Sequence, residues 1–142
     1  MTDISIAINN LEGHTICLCK DGLTICDTSK GISPMIKFIE KGLDLRGYSV
    51  ADIIVGKAVA MLFVKVGIKE VYGKVMSVSG KDYLEKNGIT CSYSVLTDRI
   101  INRAGTDICP MERTVENIDG FEEGYLALKT KLDEMKNSKQ EK

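Results

Sequence analysis

The sequence predicts a single α/β domain: a three-layer α/β/α sandwich around a mixed sheet of four strands. Three observations carry this. Asp21-Gly22 separates two alternating runs, His14–Lys20 and Leu23–Cys26, which is the signature of a two-residue hairpin. Glu70–Ser77 and Ile89–Val95 are rich in β-formers, and a short helical stretch, Lys81–Asn87, lies between them and stops at Gly88. Strands joined through helices pair in parallel, and the hairpin adds an antiparallel portion.

The elements follow in order. Ile4, Ile8 and Leu11 recur at helical spacing over residues 3–11. In the hairpin, Ile16 and Leu18 share one face, and Cys17 and Cys19 share the other. A two-residue turn pairs Lys20 with Leu23 and Cys17 with Cys26. Ser33-Pro34 starts a helix that ends near Gly42, with Ser33 as cap and Pro34 in the first position. After a linker at 43–48, Ser49-Val50-Ala51-Asp52 reads as a capping-box variant opening a helix to about Val66, closed by Gly67. From Ile53 to Val66 only Gly56, Lys57 and Lys65 interrupt the apolar run, so this helix is expected to be buried. Short helices are expected at Leu96–Arg103 and Cys109–Ile118, and a longer amphipathic one at Phe121–Met135. Residues 1–136 form the domain, and 137–142 read as a polar, disordered tail.

A chain of 142 residues buries a core without disulfide or metal staples. The formal net charge is −1, with both signs interspersed, which speaks against a nucleic-acid surface. No apolar run reaches bilayer length, and Met1-Thr2-Asp3-Ile4-Ser5 lacks a signal peptide's basic and apolar regions, so neither membrane nor secretion is expected. Five cysteines, an odd number, argue against a secreted disulfide framework. A cytoplasmic location is the expectation.

Asn102 to Glu112 is the most informative segment. It places Cys109 directly before Pro110-Met111-Glu112, a helix start with proline in the first position. At the cap, unpaired N–H groups and the helix dipole favour an anion, and a thiol there is activated. Glu112 is expected to reach back to the cap of its own helix. Cys109 and Glu112 are thus the catalytic candidates. The expected ligand-binding residues are Asp52, Gly56, Lys57, Asn102, Arg103 and Cys109. Lys57 and Arg103 supply positive charge, Gly56 admits a ligand closely, and Asp52 orients Lys57 or a ligand hydroxyl. Gly56-Lys57 is not a phosphate loop, because the full Gly-x-x-x-x-Gly-Lys-Ser/Thr pattern is absent.

Asp52-Ile-Ile-Val-Gly56-Lys57-Ala58-Val59-Ala60, Val71-Tyr72-Gly-Lys-Val-Met-Ser77, Asn102-Arg103 and Cys109-Pro110-Met111-Glu112 resemble a prokaryotic family, the domain of unknown function 1893. The resemblance covers roughly Leu11 to Val115 and implies a cytidine-deaminase-like fold. A zinc deaminase carries His-x-Glu on one helix and Pro-Cys-x-x-Cys on the next. Here Lys57-Ala58-Val59 stands in the first region and Val78-Ser79-Gly80-Lys81-Asp82 in the second, so zinc-dependent deamination is not expected.

Cys17, Cys19 and Cys26 share a hairpin face, and three thiols on one face suit a soft metal as the minor alternative, yet no Cys-x-x-Cys spacing is present. They read as small buried hydrophobes, and no metal or cofactor is expected. Tyr125, Leu126, Leu128, Leu132 and Met135 form a stripe that packs on the domain or serves a homo-oligomer interface. The leading functional expectation is binding of a nucleotide or related phosphate-bearing metabolite without zinc. The alternatives are an enzyme with Cys109 as activated nucleophile and a non-catalytic regulatory interaction module.

Overall fold

The structure, a computed structural model, describes the backbone of residues 2–102 and 104–140 and the side chains as far as residue 137. Among the described residues, eleven elements run in the order α1 (Asp3–Asn10), β1 (Ile16–Lys20), β2 (Leu23–Asp27), α2 (Ser33–Glu40), β3 (Ser49–Val55), α3 (Lys57–Val66), β4 (Glu70–Ser77), α4 (Val78–Lys86), β5 (Thr90–Thr97), α5 (Pro110–Val115) and α6 (Phe121–Gln140). They form an α/β/α sandwich around one mixed sheet of five strands, in the order β2-β1-β3-β4-β5. β1 pairs antiparallel with β2 and β3, while β3, β4 and β5 are parallel.

The hairpin has the expected register, with Lys20 opposite Leu23 and Cys17 opposite Cys26. Its turn needs positive φ at both central residues, and Asp21 (51°) and Gly22 (81°) supply it. Alternation along β1 sends Ile16 and Leu18 into the main core. Cys17 and Cys19 go into a smaller cluster with Ala7, Leu11 and Ala51. α1 therefore covers one face of the sheet, and the remaining helices build the other around Phe63, Met61 and Leu62 of α3.

The segment 49–66 differs from expectation. It is a strand followed by a helix, and Gly56 (φ −108°, ψ −173°) is the extended N-cap between them. Val50, Ile53, Ile54 and Val55 are β-branched and stiff at χ1, which favours a pleated strand. A continuous apolar run has no period to separate the two states. This segment supplies the strand missing from the expected count of four. Its Ser49–Asp52 start is therefore the beginning of a strand and not a capping box. Gly67 closes α3 in the left-handed conformation, as its position predicts.

Other boundaries shift. Ile32 and not Ser33 caps α2, with Pro34 one position further in. α4 begins at Val78, where Ser77 Oγ accepts the Gly80 N–H at 3.0 Å. Leu96 belongs to β5, which runs to Thr97, so the helix expected at 96–103 is absent among the described residues there. An isolated antiparallel bridge joins Ile101 to Ile108 instead. α6 continues through residues 137–140. Along α6, Leu128 is fully buried and Tyr125, Leu132 and Met135 pack on the main core, while Leu126 is exposed. Among the described residues, no helix is long and apolar enough to cross a membrane.

Candidate functional site

β3 and β4 are parallel neighbours, so their carboxyl ends deliver the starts of α3 and α4 side by side. The approach is backbone to backbone. A Cβ on Gly80 would stand 2.9 Å from the Gly56 carbonyl carbon and 3.0 Å from the Val55 oxygen. α5 lies across this junction, and its third residue enters it. Glu112 accepts hydrogen bonds from the backbone N–H groups of Lys57 (2.8 Å) and Ala58 (2.9 Å).

Glu112 thus caps a helix more than fifty residues away in sequence, and not its own. A helix N-terminus carries unpaired donors and the positive end of the dipole, so a carboxylate is favoured there. Burial raises the Glu112 pKa, and the N–H groups of Ala58 and Lys57 oppose that rise. Beside it, a Cβ on Gly56 would lie 2.5 Å from Glu112 Cδ. Gly56 therefore makes room for the chain's own carboxylate.

The other expected residues separate into those this site contains and those it does not. Lys57 is the first residue of α3, half-buried, and its Nζ donates to the Glu116 carbonyl at 3.4 Å. It does not share a helical face with Ile53, which is on β3. Asp52 lies within β3, opposite Ile16 and Gly73. It is 6 % exposed, and Oδ1 accepts the Ile54 N–H at 3.4 Å. Burial pushes its pKa up to about 8 against the N–H groups of Ile54 and Ile53. Lys57 Nζ is directed to Glu116, so the expected Asp52–Lys57 pairing is not formed.

Asn102 is committed to its own loop. Its Oδ1 accepts the Thr106 N–H at 3.0 Å, and its Nδ2 donates to Thr106 Oγ1 at 3.2 Å. Arg103 lies outside the described residues. Cys109 is the N-cap of α5 by position, but its side chain makes no cap hydrogen bond. It is half-buried against the main core, and its N–H donates to Ile100 O at 2.9 Å. α5 spans six residues and not the ten expected, because Glu116 closes it.

A neighbouring base is one of the ways a cysteine nucleophile is activated. The chain's single histidine, His14, is engaged at the opposite face of the sheet, where Nδ1 contacts the Asn10 carbonyl at 2.8 Å. The junction of α3 and α4 also does not fit zinc. It offers Lys57, Ala58, Ser77, Ser79 and Gly80, with both Glu112 oxygens already bonded to N–H groups. Zinc takes thiolate, imidazole or carboxylate donors in a tetrahedron, and that set is not assembled here.

Sequence reasoning overlooked three participants: Ser77 and Ser79, whose hydroxyls meet at 3.2 Å, and the Glu116 carbonyl. Ser77 followed three residues later by Gly80 was a readable cap signal. The Glu116 contact had none, since a backbone carbonyl carries no sequence label.

Residues 7–132 match the family model of DUF1893, a domain of unknown function. A crystal structure of a DUF1893 family protein from Thermotoga maritima superposes with a TM-score of 0.78 at 24 % identity, covering 87 % of this chain and 84 % of that one. A diaminohydroxyphosphoribosylaminopyrimidine deaminase/5-amino-6-(5-phosphoribosylamino)uracil reductase of the same organism superposes with a TM-score of 0.45 at 16 % identity, over 78 % of this chain and 39 % of that one. No curated protein matches.

Proposed function

The chain belongs to the DUF1893 family, and from the geometry at Glu112 we propose that it binds a small phosphate-bearing metabolite, nucleotides foremost, in exchange for its own carboxylate. The observation that carries this reading is the pair of backbone hydrogen bonds at the start of α3. Lys57 N and Ala58 N hold an anion at 2.8 and 2.9 Å, and the anion is Glu112. Helix N-termini bind phosphate through the same groups. The site lies at the carboxyl ends of the parallel strands β3 and β4, the end at which α/β sheets bind ligands. Lys57 Nζ, resting at 3.4 Å on a carbonyl, is free to turn to a phosphate. Ser77 and Ser79 supply hydroxyls at the adjoining helix start.

The test is anion rescue. Glu112→Ala leaves two buried donors unpaired, at a cost of about 1–3 kcal/mol each. Phosphate, acetate or a nucleoside monophosphate restores the lost melting temperature, where chloride at equal ionic strength does not. Lys57→Ala in the same background weakens the nucleotide response more than the acetate response. If no anion restores Glu112→Ala and no nucleotide shifts the wild-type melt, Glu112 is a permanent plug. The chain then reads as a non-catalytic interaction module.

A further inference from the structure

A second cluster lies on the other face of the sheet, beneath α1. His14, in the loop before β1, joins Cys17 of β1 and Cys26 of β2. One ligand atom from each lies within 4.8 Å of the others. Cys17 and Cys26 are opposite in the hairpin register, so the fold brings their thiols together without any sequence spacing to announce it. Cys19 is turned away to Asp3, at 3.6 Å from Oδ1.

The three groups have unequal surroundings. Cys17 is wholly buried, while Cys26 and His14 are half-buried. The Cys17 thiol donates to the Asn10 carbonyl at 3.0 Å, and His14 Nδ1 meets the same oxygen at 2.8 Å. A carbonyl only accepts, so Nδ1 carries the proton of that bond and the neutral ring keeps its lone pair on Nε2. Asn10 ends α1, and its carbonyl is one of the acceptors a helix leaves unpaired. That cap explains the orientation of His14 and Cys17. It does not explain Cys26, whose thiol contributes nothing to the cap and still faces Cys17. Burial and the neighbouring Cys26 both raise the Cys17 pKa.

We propose that His14, Cys17 and Cys26 form a three-ligand site for a thiophilic divalent cation of the zinc class. Two thiolates and a neutral imidazole balance a double positive charge, and soft thiolate with imidazole is the donor set such ions take. The Asn10 carbonyl supplies the outer hydrogen bond that orients a ligating histidine. Binding releases the thiol protons, so affinity rises with pH. The site is independent of the Glu112 junction, which lies across the sheet.

The experiment is a titration of the reduced full-length chain with Co²⁺, read by thiolate-to-cobalt absorption, followed by displacement with Zn²⁺. One equivalent of Co²⁺ should develop the thiolate band, and Zn²⁺ should abolish it and raise the melting temperature. Cys26→Ser and His14→Gln, both at half-buried positions, should each weaken binding by more than about tenfold, beyond the lower end of the loss typical of an outer-shell partner. Cys91→Ser should bind as the wild type does. A titration without a thiolate band, or one unchanged in Cys26→Ser, overturns the site. So does a reduced chain that binds no Co²⁺ but closes a Cys17–Cys26 disulfide in air.

Discussion

Gly56 and Glu112 compete for one volume: a Cβ at position 56 would sit 2.5 Å from Glu112 Cδ and 2.6 Å from Oε2. The glycine at the cap of α3 and the carboxylate on α5 are therefore one structural unit. Gly56→Ala forces Glu112 off the α3 N-terminus and should cost about 1–3 kcal/mol, as overpacking does. Combined with Glu112→Ala the two losses should fall short of their sum, read as a coupling energy in a denaturant double-mutant cycle. Additive losses would mean that the two positions do not share this space.

Gly80→Ala is the contrasting case. It meets backbone atoms of Val55 and Gly56, which cannot swing aside. A helix-interior alanine ordinarily gains roughly 1 kcal/mol over glycine. Here the substitution should destabilise, and Glu112→Ala should bring no relief.

Lys57 separates side chain from backbone. Its Nζ makes one long contact, so Lys57→Ala should change stability by no more than about 0.5 kcal/mol. Proline is tolerated at a helix's first position, and the extended Gly56 before it suits proline. Lys57→Pro still removes the N–H held by Glu112 and should cost about 1–3 kcal/mol. Equal melting curves for the two variants would refute the cap.

Asp52 sets a pH dependence. Its folded pKa, about 8, lies above the ordinary 3.8, so the folded state holds a proton that the unfolded state releases. Its contribution is fully present below about pH 3.8 and is lost as pH rises towards 8. Asp52→Asn keeps an acceptor for the Ile54 N–H and removes the titration. The variant should melt above the wild type at pH 8, and the difference should shrink towards pH 4. A constant difference across that range would count against a buried, titrating Asp52.

Thiol accessibility tests the layer assignment. Cys17 and Cys19 are fully buried, whereas Cys26, Cys91 and Cys109 are partly exposed. In native metal-free protein, iodoacetamide should label the last three first, and all five should label in urea. Early modification of Cys17 or Cys19 in the folded chain would contradict the packing of α1.

Local signals carried much of the fold. Asp21-Gly22 determined the hairpin register because this pair readily takes the two positive φ values of a type I′ two-residue loop. The β-formers at 70–77 marked β4 to its ends. The error at 49–56 arose where local signals are degenerate. A run apolar in every position reads as a buried helix or a buried strand, and Asp52 near its start imitated a cap. What made it a strand is pairing with β1 and β4, which no residue within the run encodes.

The same division runs through the site. The sequence alone determined that Gly56-Lys57 and Cys109–Glu112 are special positions, since glycine, proline and a capping acid have local conformational meaning. Only the tertiary structure decided that Glu112 serves α3 and not α5, and that His14 meets Cys17 and Cys26. Both depend on atoms far apart in the chain, and a carboxylate reaches whichever unpaired donors the packing of helices on the sheet presents.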